Sequence, residues 1–338
     1  MSDDIDTIKC LLKDDQIKEW REQGITIIEL PEKIWKPACD FLHQNDTFPE
    51  KRPENWKDEF GSPNMKYAFP TATVENGEPI SYPELDELVL NEELIKIAQV
   101  LLKTEDIKLT QADAWCKYGS GHDEKDLMGN KDQRMHMDYG MHSFLHPLSW
   151  ENPECLAAIL YYDNSEVCGG GTGFVRKISD KDPAYQTPYI KMPGQAGIPF
   201  WNQKDIAESE IKKISPEIYE FREKLYEREE KVNFKPGTLL LYRHDVWHRG
   251  TQVKPGTSRR VHNFIWARQD ASWIHTWNNG FSMKSYYGPL ERLLVKCTPL
   301  QRSVIGFPGV KHKIWKDLNF IKNVEARYPG MDLSEYKM

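Results

Sequence analysis

The sequence predicts a mainly β fold with flanking helices, and two observations carry that prediction. C-L-A-A-I-L-Y-Y (155–162), G-T-L-L-L-Y-R-H-D-V-W-H (from Gly237) and R-R-V-H-N-F-I-W (from Arg259) are apolar runs of strand length, the last two joined through K-P-G-T-S, whose Pro-Gly is turn chemistry. Recurrence of apolar residues at three and four positions, the mark of a helix, falls outside these runs.

In chain order, Leu11, Ile17 and Trp20 space as a short amphipathic helix that Gly24 ends, and I-T-I-I-E-L (Ile25 to Leu30) alternates like a strand. Residues 45–85 are rich in Pro, Asn, Glu and Lys and read as an irregular excursion. Leu88 to Leu102 reads as one helix, followed by a strand, I-K-L-T-Q-A-D-A-W-C-K-Y, from Ile107. Gly119 to Gln133 is glycine-rich and charged, a long loop of the kind that serves as a lid. R-M-H-M-D-Y-G-M-H follows, then a strand-like T-G-F-V-R-K-I. Ser215 and Pro216 are the N-cap and first position of a helix with Ile218, Phe221 and Leu225 on one face and a solvated, charge-dense opposite face. The tail from Pro289 is helical and loop-like, broken by Pro299, Pro308 and Pro329. No linker divides the chain, so residues 1–338 are expected to form one domain, with a helical insert at about 204–231.

Composition excludes several classes. Aromatic residues make up 12% of 338, with 11 Trp, which disordered chains lack. A net charge of −7 is not the footprint of a nucleic-acid binder. The longest apolar stretch, Cys155 to Tyr162, is far too short to span a membrane. The M-S-D-D-I-D start has no secretory pattern and the E-Y-K-M end no retention or peroxisomal motif, so a cytoplasmic location is expected. The six cysteines are scattered without a C-x-x-C pair and read as reduced thiols.

The chemistry centres on His136-Met137-Asp138. On extended backbone, residues i and i+2 share a face, so an imidazole nitrogen and a carboxylate oxygen can converge on one metal ion. His248, at the end of the L-L-L-Y-R-H-D-V-W-H run, is the candidate third ligand. Two His and one carboxylate form the facial triad of non-haem Fe(II) oxygenases. Eleven positions on, Arg259 begins the next strand, where its guanidinium could grip the far carboxylate of a metal-chelating 2-oxo acid. Alternatives stay open. A local site from His244, Asp245 and His248 requires a helix, because on a strand 244 and 248 are about 13 Å apart. Arg260 rivals Arg259, since a one-residue slip exchanges inside for outside. His262 falls on the face opposite Arg259; His146 reads as a loop residue near a pocket mouth, and His142 as a substrate contact.

H-M-D, a long interval, then H-x10-R preceded by P-G-T-L-L-L resembles the phytanoyl-CoA hydroxylase family. D-D-Q-I-K-E-W-R-E-Q-G-I-T-I-I is similar to that family's first helix and strand, and G-G-G-T-G-F-V sits where it has an N-G-x-L strand. T-P-L-Q-R-S-V-I-G-F-P-G-V and Y-P-G-M-D-L resemble segments of some bacterial members. The resemblance implies a double-stranded β-helix (a cupin-like jelly roll), its core at about 105–270. It implies Fe(II) held by His136, Asp138 and His248, with 2-oxoglutarate and O2 as co-substrates, and Arg259 on the C5 carboxylate. Where many members have P-G-S-H this chain reads V-R-K-I-S-D-K-D. Where they carry a hydroxyl two residues past the distal His it has Gly250, leaving Thr251 to contact the co-substrate. Halogenating relatives lack the acidic ligand; Asp138 is present, so halogenation is not favoured. Hydroxylation is the default outcome, with desaturation or oxidative ring closure from the same substrate radical. Lys117, Arg134, Arg176, Arg243 and Arg249 cluster in segments expected at the barrel mouth and suggest a small anionic, carboxylate-bearing substrate. Lys117, Arg134, Tyr139, His142 and Arg243 are the expected contacts to it; Tyr139 and Trp247, next to ligands, could line the pocket or pack behind it. The competing readings are a non-catalytic cupin-type binder and a zinc hydrolase with the same ligands.

Overall fold

The computed structural model describes residues 10–44, 65–69, 74–75, 78–79, 82–119, 130–138, 150–186, 191–193, 198–271, 289–316, 321, 324–325, 328 and 330–337. The strands are β1 (Ile25–Glu29), β2 (Met65–Ala68), β3 (Val74–Glu75), β4 (Glu78–Pro79), β5 (Ile107–Tyr118), β6 (Cys155–Tyr161), β7 (Gly173–Phe174), β8 (Glu230–Lys231), β9 (Thr238–Arg243), β10 (His248–Arg249) and β11 (Ser258–Arg268). The helices are α1 (Asp14–Gln23), α2 (Glu32–Gln44), α3 (Pro83–Val89), α4 (Glu92–Leu102), α5 (Ser165–Cys168), α6 (Lys204–Ile214), α7 (Pro216–Glu227), α8 (Pro289–Lys296) and α9 (Pro299–Ile305). Among the described residues no helix is long and apolar enough to cross a membrane.

A six-stranded antiparallel sheet runs β1-β9-β6-β11-β5-β2, and a smaller one runs β10-β7-β8. They face each other across a shared interior, which gives the core its jelly-roll arrangement. The apolar runs of the sequence now have a reason: both faces of the larger sheet are buried. Leu239, Leu241, Leu156, Leu160, Phe264 and Trp266 pack against the layer of α1, α2, α3 and α4. Their neighbours Leu240, Tyr242, Ala157, Tyr161, Val261 and Ile265 turn inward to meet Phe174, Val232 and Phe234. Burying each such leucine contributes about 1.5–3 kcal/mol, so the period-two alternation sets the register of the whole sheet.

The predicted helix boundaries hold where local chemistry is strong. Gly24 adopts φ 85° and returns its N–H to the Trp20 carbonyl, closing α1 before β1. Ser215 Oγ accepts from the Ile218 N–H at the start of α7. Three expectations are corrected. The helix expected over Leu88 to Leu102 is two, because Asn91 caps α4 by accepting from the Glu93 N–H. T-G-F-V-R-K-I contributes only the two-residue β7. The charged face of α7 is not all solvated: Arg222 is fully buried against Glu208 of α6.

Candidate metal centre

Residues 134–138 are extended, and alternation decides what each side chain does. Met135 and Met137 enter an apolar cluster with Val175, Tyr185, Met192, Leu225 and Trp247. His136 and Asp138 therefore face the other way. Backbone bonds fix the segment to its partner. His136 and His248 exchange N–H···O bonds of 2.9 and 2.8 Å, and the Asp138 N–H donates to the His244 carbonyl. The chain turns over 244–247 instead of forming a helix, so the local site on His244, Asp245 and His248 does not assemble; His136, Asp138 and His248 do.

The Nε2 atoms of His136 and His248 lie 3.5 and 3.4 Å from the two Asp138 carboxylate oxygens, with ring centroids 4.4 Å apart. Each Nδ1 faces a backbone carbonyl, that of Arg134 at 3.1 Å and of Val246 at 3.0 Å. A carbonyl only accepts, so both Nδ1 atoms carry the proton and both Nε2 atoms present lone pairs. Two lone pairs and a carboxylate converging in a buried space repel one another unless a cation lies between them; the donor set fits a divalent metal ion. Without an ion, the same three groups compete for a proton. Burial, then the charge of His248, drives His136 down to about 4. Burial opposes ionisation of Asp138, yet the two histidines hold its carboxyl well below the usual range. Burial also opposes charging of His248, and Asp138 overcomes it, drawing the proton affinity of that imidazole upward. Tyr242 donates its hydroxyl to Asp138 Oδ2 at 3.2 Å and packs its ring on His248.

The trio opens onto a cavity of about 370 Å³ whose wall also holds Arg259 and Lys117. These two cations are cross-strand partners on β11 and β5. The Arg259 guanidinium donates to the Gly170 carbonyl, and its Nε is buried without a partner. Lys117 Nζ donates to the carbonyls of Thr251 (2.9 Å) and Lys131 (3.2 Å). Burial, and then the charge of Arg259, pull its pKa down to about 7. Arg260 is on the opposite face, paired with Asp163 at 3.0 Å. His262 is likewise on that face, stacked on Phe264 and buried.

Several expected contacts lie elsewhere. The Thr251 hydroxyl donates to the Gly171 carbonyl at 2.7 Å and is not part of the cavity lining. Arg243 is buried between Asp245, in a two-bond ion pair, and the Trp150 ring; it borders a separate groove of about 770 Å³. Arg134 covers Phe200 and donates to Asn202, so only its carbonyl serves the trio. Arg176 pairs with Glu19 and Glu230, and Arg249 with Glu229 and Asp132. Three of the five basic residues that suggested an anionic substrate, Arg176, Arg243 and Arg249, are thus neutralised by ion pairs. Trp247 packs behind the trio. Tyr139, His142, His146 and the loop at 120–129 lie outside the described residues. The sequence reading missed Tyr242, Gln111, Asn263, Gln133 and Thr172, all on the cavity wall. The polar alternation Gln111, Asp113, Trp115, Lys117 within β5 was the available signal.

No protein-family model matches the chain, and no curated protein sequence does. Among solved structures it is similar to the non-heme alpha ketoglutarate dependent carbocyclase SnoK from nogalamycin biosynthesis, with TM-score 0.51 and 14% identity over 80% of this chain and 90% of that one. EvdO2 from Micromonospora carbonacea var. aurantiaca gives TM-score 0.48 and 13% identity over 78% of this chain and 95% of that one. The epimerase SnoN from nogalamycin biosynthesis gives 0.46 and 13% over 79% and 87%. The likeness to SnoK is one of fold: a mainly antiparallel jelly-roll core with flanking helices, as the sequence predicted.

Proposed function

We propose that this protein is a single-domain non-haem iron(II)- and 2-oxoglutarate-dependent oxygenase that oxidises an unactivated C–H bond of a small molecule, by hydroxylation in the default case. The observation that carries the reading is the convergence of two Nε2 lone pairs and one buried carboxylate on a cavity that also holds two cations. Within it, the phytanoyl-CoA hydroxylase-like family remains the resemblance that the sequence motifs support.

His136, Asp138 and His248 hold the metal. The Arg134 and Val246 carbonyls fix the two imidazole rings and their tautomer, and Tyr242 steadies the carboxylate, so the donors are aimed before any ion arrives. Arg259, assisted by Lys117, pairs with the distal carboxylate of 2-oxoglutarate; the buried Nε of Arg259 is a donor awaiting an acceptor. Iron(II) with 2-oxoglutarate and O2 supplies the oxidising power that breaks the C–H bond. The cavity walls exclude bulk water and orient that bond.

Anaerobic titration of the protein with Fe(II) and 2-oxoglutarate tests this. A weak visible charge-transfer band should develop, and succinate should form once O2 is admitted. Retention of zinc with no 2-oxoglutarate turnover would point to a hydrolase and overturn the reading.

A further inference from the structure

The cavity has two chemically different ends. Lys117 and Arg259 are partners at one end of the β5–β11 pair. Along the same pair the next partners are Trp115–Val261, Asp113–Asn263 and Gln111–Ile265. Six residues of extended strand separate Arg259 from Ile265, about 20 Å of backbone. Ile265 continues through Ala157 to Tyr242, the tyrosine that bonds Asp138. Gln111 therefore lines the cavity in register with the Tyr242 backbone, further along the strand pair than the two cations.

Its chemistry is that of an acceptor. Asp113 is buried, and its carboxylate accepts from Gln111 Nε2 at 2.6 Å and from Trp115 Nε1. Those bonds settle the orientation of the Gln111 amide, since only its nitrogen can face a carboxylate. Its Oε1 then points away from that carboxylate, buried and without a hydrogen-bond partner among the described residues. Leaving a buried carbonyl unsatisfied costs about 1–3 kcal/mol, so this atom is poised for a donor that the described residues do not provide. Gln111, Trp115 and Asn263 all line the cavity. A second carboxylate brought here would meet Asp113 at low dielectric, whereas a hydroxyl or ammonium group would satisfy Gln111 and lie along the indole face.

We infer that the substrate subsite beside the trio takes a molecule that presents a hydroxyl or amino group and no negative charge, with Gln111 Oε1 as its acceptor. This rests on the oxygenase reading and reverses the anionic substrate expected from the basic residues, of which Arg176, Arg243 and Arg249 are ion-paired away from this cavity. Three probes on one skeleton test it: cyclohexylmethanol, cyclohexylmethylamine and cyclohexanecarboxylate. Each is titrated calorimetrically into anaerobic protein loaded with Fe(II) and 2-oxoglutarate. The alcohol and the amine should bind at least roughly tenfold more tightly than the carboxylate. Gln111→Leu should remove the gap. The near-isosteric Gln111→Glu should widen the preference for the amine over the carboxylate, and Asp113→Asn should narrow it. Equal or tighter binding of the carboxylate, binding by none of the three, or a gap that survives Gln111→Leu overturns the inference. Failure of the wild-type protein to form the Fe(II)–2-oxoglutarate complex before any probe is added would instead overturn the oxygenase reading, so the two failures are distinct.

Discussion

Two buried polar clusters share the segment 134–138, one behind it and one in front, and they are built on opposite principles. Behind it, Arg222 donates to both Glu208 oxygens and to the carbonyls of Lys191 and Met135, while Tyr226 donates to Glu208 and accepts from the Met135 N–H. Every charge there has a partner of opposite sign, and both backbone groups of Met135 are held. In front, lone pairs face a carboxylate, two cations sit side by side on one wall, and Arg259 Nε and Gln111 Oε1 lack partners. A satisfied buried network stabilises the fold and its registration, whereas an unsatisfied one stores interactions for a ligand.

That contrast can be broken in a definite order. His136→Ala should reduce 2-oxoglutarate turnover by more than roughly a thousandfold and abolish the Fe(II)–keto acid band, yet leave the urea midpoint of the metal-free protein unchanged or higher. Arg222→Met should do the reverse. It strands the Glu208 carboxylate and should cost about 3–5 kcal/mol in urea unfolding, most of which Arg222→Met with Glu208→Leu should recover. Arg259→Ala should raise the KM for 2-oxoglutarate roughly a hundredfold, equivalent to about 2.7 kcal/mol, while changing metal-free stability by less than about 1 kcal/mol.

The smallest effect sharpens the comparison through pH. Lys117 has its pKa pulled down to about 7 by burial and by Arg259, so it is a cation below that pH and neutral above it. Its help to a carboxylate is complete below about 7 and is lost as pH rises, so the KM for 2-oxoglutarate should climb above neutrality. Lys117→Met should flatten that profile. The sign for folding is also set: between about 7 and the ordinary lysine value of 10.5 the unfolded chain holds the extra proton, so the penalty of burying Lys117 is full below about 7 and relieved as pH rises to 10.5, and Lys117→Met should strengthen the metal-free fold most below about 7.

How much of this was legible in the chain depends on the range of the interaction. Strands β1, β5, β6, β9 and β11 and helices α1 and α7 were readable because apolar periodicity and caps such as Ser215 act within a few residues. The trio was readable because H-x-D places two donors on one face and the H-x10-R spacing resembles a known pattern. Thr251 and Arg243 were misjudged because both were chosen by adjacency to His248 and Arg259 or by charge. Gly171, the partner of Thr251, and Trp150, a partner of Arg243, come from other parts of the fold, while Asp245 reaches Arg243 across the turn that follows β9. Tyr242 escaped because inside an L-L-L-Y run a tyrosine is indistinguishable from core.

By itself, then, the sequence determined the fold class, the places of the main strands, and the residue types able to gather around a divalent ion. These follow from periodicity and local backbone chemistry, which need no knowledge of distant partners. Only the tertiary structure decided which cations were already neutralised, which carbonyls locked the two imidazoles, and that Gln111 and Asp113 make one end of the cavity an acceptor. Some of those pairings join distant residues, as Arg176 with Glu19 and Arg249 with Asp132; others join residues two apart, whose groups meet only in the backbone conformation that the assembled fold imposes.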